Sequence, residues 1–351
     1  MSNEFTNKIL ELVKKDFGEN VAKGGQDFIK EVKTRLTIPV SPAVNLAIGG
    51  GIPEGSWVVL AGKPKCGKTT LALYFCSKCQ QPKYGSKHIY ILNVEGRLKE
   101  MNLKGYNLNP DQVTIIESTE EKILSAQDYL TIGEKILLNH KACVVVIDSF
   151  SALCHEKELT DGIGTSTRGG GAALLAQFCR QMESVVPVKK SIVIGITHLM
   201  ANTSGYGAGI MEKGGNAIQY QVDVKLRCKG VEAVENDGKR IGQKVTWITE
   251  ATALGMPPGV EFDSIIKYGQ GIDEVAEAIK LGLDVNLISK SGSWYVCDFM
   301  QNHLPVLGVM EWNDEAKKKC KGQGEHKLGA LLKANPNWIE ILEKEIQKIL
   351  Y

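Results

Sequence analysis

The stretch Gly62-Lys-Pro-Lys-Cys-Gly-Lys-Thr69 sets two glycines, a lysine and a hydroxyl at a spacing suited to a polyphosphate. A glycine at each end lets the backbone wrap an anion with its N–H groups turned inward, and a following helix offers its positive N-terminus. In the pattern G-x-x-x-x-G-K-[ST] the lysine, here Lys68, reaches the β- and γ-phosphates, and the hydroxyl, here Thr69, ligates Mg²⁺. The candidate nucleotide site is therefore Gly62, Lys63, Pro64, Lys65, Cys66, Gly67, Lys68, Thr69 and Thr70. A Gly/Lys surface turn is the alternative. It would not explain the apolar run SWVVLA before the loop or the helical TLALYFCSKC after it.

Three further side chains stand at the ends of apolar runs, where ligands of open parallel sheets gather. Asp148 ends CVVVID, which puts a carboxylate where it can hold a Mg²⁺ shell through water. An acid after a strand is by itself commonly a cap, so this role depends on the phosphate loop. Glu95 ends HIYILNV and is placed to orient and deprotonate a water attacking the γ-phosphate. His198 ends SIVIGITH and can sense whether that phosphate is present, although an isolated histidine is more often structural. The catalytic candidates are Glu95, Lys68 and His198, and the metal candidates Thr69 and Asp148.

These residues need strands to carry them. Short β-branched runs without polar alternation occur at 56–62, 88–94, 113–118, 143–149 and 191–198, with helical segments between several of them. This predicts an α/β fold with a mostly parallel central sheet covered on both faces. The later runs DVKLRCKG, KVTWITEA and EFDSIIKYG read as an antiparallel extension. Before the core, Phe5, Ile9, Leu12, Val13 and Phe17 recur at helical spacing, a stripe that packs either on this chain's own core or on another subunit. From about Gly271 the pattern turns helical, and Asn335-Pro336 supplies an N-cap and first position for the last helix. The expected organisation is an arm (1–35), an ATPase core (36–270) and a small C-terminal α/β domain (271–351).

Composition sets outer limits. With 351 residues, 43% hydrophobic and 23% charged, the chain is of ordinary globular type, large enough for one main domain with attachments. A net charge of +2 excludes no partner, because a balanced total can conceal a basic groove. No stretch reaches the roughly 20 apolar residues of a membrane span, and nine cysteines scattered through apolar segments suit a reducing compartment. A cytoplasmic location with no membrane partner is the expectation. Cys76 and Cys79 form a C-x-x-C with no second Cys/His pair, which favours packing over metal.

Two glycine-rich segments, ELTDGIGTSTRGGG (158–171) and LMANTSGYGAGIMEKGGNA (199–217), carry too little apolar periodicity for stable elements. Long loops inside a compact domain are commonly functional. Following the strands that end in Asp148 and His198, both would emerge near the nucleotide.

The chain resembles the RecA family of recombinases, including those of tailed bacteriophages, from about residue 8 to its end. The resemblance rests on a series of motifs in family order: GIPEGSWVVLAGKPKCGKTT, NVEG, VVVIDSFSAL, KGGNAIQY, VEFDSIIKYGQGID, LISKSGSWY and LLKANPNW. It implies a RecA-like P-loop ATPase core that uses ATP and Mg²⁺, with Asp148 supporting the metal, Glu95 as catalytic carboxylate and His198 at the γ-phosphate sensor. It also implies that the two loops bind DNA and that the helix at 5–17 docks on a neighbouring subunit in a helical filament. The implied partners are single- and double-stranded DNA, with a single-stranded-DNA-binding protein and loader proteins beyond them.

In the loops, Arg168, Lys213, Tyr206, Ile210 and Met211 provide cations and stacking or wedging groups, and Gly169, Gly214, Gly215 and Asn216 provide backbone contacts. The basic run EAKKKCKGQGEHK (315–327) is either a duplex-DNA surface or a solvated face. Two departures from the family stand out. VTWITEA has no lysine where two usually cross the subunit interface, and Asn102 or a neighbour stands at the adenine-stacking tyrosine. The expected function is an ATP-dependent recombinase that forms filaments on single-stranded DNA and catalyses homologous pairing and strand exchange in recombination and repair. The alternatives are a ring-forming helicase on the same core and a catalytically weak DNA-binding scaffold.

Overall fold

The computed structural model describes residues 2–161, 170–201, 210–213 and 221–350. Contacts divide the chain into two units, 1–37 and 38–351.

The first unit holds helices α1 (Ser2–Phe17) and α2 (Gly25–Lys33). The predicted stripe is on α1, and it is exposed: Phe5 at 71% and Phe17 at 73%, with Ile9 and Leu12 also open. Helix α2 adds exposed Phe28, Ile29 and Val32. Apolar side chains gathered this way normally mark a docking face.

The second unit is built on a ten-stranded sheet. Its strands are β1 (Trp57–Gly62), β2 (Ile89–Asn93), β3 (Val113–Ile116), β4 (Val144–Asp148), β5 (Ile192–Ala201), β6 (Ile210–Lys213), β7 (Val224–Asn236), β8 (Lys239–Ala251), β9 (Glu261–Lys267) and β10 (Gly271–Ile272). Their order is β10-β9-β8-β7-β1-β5-β4-β2-β3, with β6 paired to β5. From β3 through to β7 neighbours run parallel, so β1, β2, β4 and β5 present their carboxyl ends along one edge.

Strand residues alternate between two faces, and both are covered. Val58 and Leu60 point into one core with Leu71 and Phe75 of α3 (Lys68–Cys79). Trp57 and Val59 point into the other, with Tyr129, Leu130 and Leu137 of α4 (Ala126–Asn139) and Phe178 and Met182 of α5 (Gly170–Met182). Double coverage is why these strands read as unbroken apolar runs. Cys76 and Cys79 are buried on α3, in keeping with a packing role.

The expected antiparallel extension exists as the long β7–β8 hairpin followed by β9. Asp237 and Gly238 at its turn have φ of +50° and +72°, the left-handed pair that a two-residue hairpin requires. The correction concerns β7, which pairs antiparallel with β8 on one side and parallel with β1 on the other. Polarity between distant strands leaves no mark in either strand's own residues.

A third cluster forms around Phe299, Met300, Leu328, Leu332, Leu342 and Ile346. It joins α6 (Glu274–Asp284), α7 (Gly324–Ala334) and α8 (Pro336–Leu350) to a small antiparallel sheet of Ser289–Ser291, Trp294–Val296 and Lys321–Gln323. Helix α8 begins at Pro336 directly after Asn335, as the sequence indicates. Among the described residues no helix is long and apolar enough to cross a membrane.

Candidate functional site

The phosphate loop joins β1 to α3, whose first residue is Lys68. Gly67 has φ of +89°, a left-handed conformation that favours glycine, and a Cβ there would in addition displace the end of the Ile266 side chain. Lys68 is 4% exposed and is held by neutral acceptors. Its Nζ donates to the carbonyls of Gly62 at 3.0 Å and Lys63 at 2.8 Å, and sits 3.4 Å from His198 Nδ1. Thr69 Oγ1 donates to Asp148 Oδ2 at 2.8 Å, and Thr70 Oγ1 lies 3.1 Å from the Tyr106 hydroxyl.

Sheet register assembles the rest. Gly62 is level with His198, and Asn93 is level with Asp148. Glu95, two residues past β2, donates its own N–H to the Asp148 carbonyl. Its carboxylate accepts from the Ser149 hydroxyl at 2.6 Å and lies 2.7 Å from His198 Nε2. An ammonium on one side of the imidazole and a carboxylate on the other are both satisfied when neutral His198 carries its proton on Nε2. Burial opposes ionisation of Glu95, yet hydrogen bonds from Ser149 and His198 and the nearby Arg97 charge hold its pKa below the usual carboxylate value. Asp148 behaves oppositely: burial raises its pKa, the Glu95 charge adds to the rise, and the Thr69 hydroxyl and Lys68 counter it.

These groups line a cavity of about 1060 Å³. The loop and strand ends form one wall, and Arg227, Arg240 and Lys267 of β7, β8 and β9 stand on another. The volume and the cationic lining suit a nucleoside triphosphate. The donor set also fits a hard divalent cation, because Thr69 and Asp148 bring oxygen ligands together at the helix N-terminus beside the loop. Thr69 would hold the ion directly and Asp148 through its water shell.

The loop residues from 63 to 70, with Glu95, Asp148 and His198, line this one cavity, and Gly62 contributes its carbonyl as an acceptor for Lys68. The DNA-loop residues do not resolve in the same way. Arg168, Gly169, Tyr206, Gly214, Gly215 and Asn216 lie outside the described residues. Ile210, Met211 and Lys213 fall in β6, which pairs with the end of β5, His198 opposite Lys213 and Met200 opposite Met211. This corrects the expectation of an irregular segment there. Pairing with β5 forms a strand that local periodicity does not announce. The segment at 158–171 likewise has helical ends, at Glu156–Thr160 and from Gly170.

Sequence reading missed Ser149, although it directly follows Asp148 and could have been found. It also missed Tyr106, Arg227 and Arg240, whose place in the cavity is set by packing alone. Within VTWITEA, Glu250 pairs with Lys225 at 3.0 Å and with Arg227, so cations lie beside this stretch on β7.

A parallel sheet with a phosphate loop after one strand and carboxylates at the ends of two others defines a P-loop nucleotide-hydrolysing fold. A sequence model of the RecA N-terminal domain matches residues 4–273. The Protein RecA of Oleidesulfovibrio alaskensis is 26% identical over 99% of this chain and 91% of its own length. That of Bacteroides thetaiotaomicron is 27% identical over 95% of this chain and 93% of its own length, and that of Campylobacter jejuni subsp. doylei 27% identical over 88% and 82%. The chain belongs to the RecA family.

Proposed function

We propose that this chain is an ATP-dependent recombinase that assembles as a filament on single-stranded DNA and carries out homologous pairing and strand exchange in recombination and repair. One observation carries the reading: Lys68, Thr69, Asp148, Glu95 and His198 meet in a single cavity from four separate strands or the turns just after them, His198 standing within β5, which continues to Ala201, and not at its end. A divalent cation held by Thr69 and, through water, by Asp148 would supply positive charge beside the phosphates. Lys68 draws the terminal phosphates toward β1, and the loop amides fix their position. Glu95, kept ionised by Ser149 and His198, accepts the proton of the attacking water. His198 joins Lys68 to Glu95, so a change in the position of Lys68 is felt by the catalytic carboxylate and by β5–β6 beyond it. Residues 158–171 and 199–217 would bind DNA, residues 1–35 would join subunits, and 271–351 would form an accessory domain. Work on DNA in the cytoplasm belongs to the same proposal.

Lys68→Ala is the direct test, read by DNA-stimulated ATP hydrolysis and by strand exchange. Both are expected to vanish together in a protein that still melts cooperatively. Retained DNA-stimulated hydrolysis would remove the phosphate-loop assignment.

A further inference from the structure

Cys66 lies in the phosphate loop with its side chain buried, Cys228 is on β7, and both line the nucleotide cavity. They converge on Gly62. A Cβ built on that glycine would lie 2.6 Å from Cys66 Sγ and 2.8 Å from Cys228 Cβ, so the two side chains share a space smaller than one methyl group's surroundings. Cys66 Sγ and Cys228 Cβ therefore flank the same point above Gly62, which sets the sulfur of one beside the side-chain stem of the other.

The chemistry of the pair differs from that of the other cysteines. Six of the others are buried in hydrophobic clusters, and Cys154 is half-buried and donates to Glu158; burial raises the thiol pKa of each. Cys66 alone is lowered, to about 7, by its hydrogen bond with Cys228 and by the charge of Lys68, whose Nζ is 3.8 Å from the sulfur. Burial and the same hydrogen bond raise Cys228. One thiol is thus poised as the nucleophile and the other retains its proton, the division of labour of an attacking and a resolving cysteine.

We propose that Cys66 and Cys228 form a peroxide-sensitive thiol pair whose reversible disulfide and bound ATP exclude one another. Cys66 thiolate attacks one oxygen of hydrogen peroxide, the O–O bond breaks, and the departing oxygen leaves as water after taking up a proton, giving a sulfenic acid on Cys66. The Cys228 sulfur then attacks the Cys66 sulfur. Hydroxide departs and takes the Cys228 proton, so two thiols and one peroxide yield one disulfide and two waters. The new bond ties the loop to β7 and draws Cys66 away from Lys68, which distorts the ring of amides the phosphates require. Bound phosphates, in turn, fill the approach that a water-sized oxidant uses. The exclusion clause rests on the ATP-site reading above; the disulfide itself does not.

The test exposes the full-length, nucleotide-free protein to hydrogen peroxide, then unfolds it, alkylates free thiols and maps the peptides by mass spectrometry. The expected product is a peptide pair linked through Cys66 and Cys228, absent after dithiothreitol, with loss of ATP binding that dithiothreitol restores. In Cys228→Ser no such linked pair forms. Recovery of both residues as alkylated thiols, under exposure that already oxidises Cys154, would overturn the proposal. A parallel sample with ATP and Mg²⁺ bound should form little of the linked pair. Full linkage in that sample, with nucleotide binding confirmed separately, would overturn the exclusion while leaving the ATP site standing.

Discussion

At the scale of the residue, the role proposed for Glu95 divides nucleotide binding from nucleotide hydrolysis. Both the Ser149 hydroxyl and His198 Nε2 address the same oxygen, Oε1. A glutamine can set its carbonyl oxygen there and keep both bonds, but it cannot accept a proton. Glu95→Gln is therefore expected to bind ATP normally and to lower turnover by about 10²- to 10⁴-fold, the usual loss when a positioned general base is removed. Steady-state hydrolysis alongside a nucleotide-binding titration separates the two. If assembly follows bound rather than hydrolysed nucleotide, DNA filaments of this variant should persist and dissociate slowly. Turnover at the wild-type rate would pass the catalytic role to another carboxylate.

At the scale of the element, two positions show how strands and helices hold the site. Gly195 lies mid-strand in β5, with Val59 of β1 and Ile147 of β4 beside it, and the ring of Phe150 is pressed onto its backbone. A Cβ there would meet Phe150 Cε2 at 1.6 Å, so Gly195→Ala has to push the ring aside. Overpacking of this kind costs about 1–3 kcal/mol, to be read as a lower denaturation midpoint. Helix α4 starts with a capping box in which Ser125 and Asp128 exchange hydrogen bonds. The bond from Lys122 comes first among the causes, with those from Ser125 next, that lower Asp128 from 3.8 to about 2. A carboxyl depressed in the folded state stabilises above its unfolded value and loses that contribution as pH falls through the folded one. Asp128→Ala should then cost roughly 0.5–1 kcal/mol at neutral pH. The difference from wild type should shrink as pH falls from 3.8 toward 2, measured by chemical denaturation across that range.

At the scale of the whole molecule, the proposed function puts assembly in one unit and chemistry in the other. Residues 38–351 contain the sheet and the nucleotide cavity, while α1 and α2 in the first unit expose large apolar side chains. Deleting residues 1–33 is expected to leave a folded protein that binds ATP but no longer forms filaments on DNA, as seen by sedimentation and electron microscopy. A truncated chain that fails to fold would assign the stripe to this chain's own stability, the alternative that its spacing left open.

Much of the site was legible because its determinants are local. The phosphate loop is contiguous from Gly62 to Thr69, and Glu95, Asp148 and His198 were found as the residues after apolar runs, since a doubly covered parallel strand is recognisable from its own composition. Parallel strands then share a carboxyl edge by geometry, so the meeting of these groups followed from the fold class. Tertiary structure alone decided the contacts made across register. The Ser149–Glu95–His198 chain, the Arg227 and Arg240 wall, the pairing of β6 with β5 and the approach of Cys228 to Cys66 all join residues of different elements. Periodicity describes which face a residue takes within its own element. Which partner stands opposite depends on strand order and alignment, and those are settled by packing the whole sheet at once.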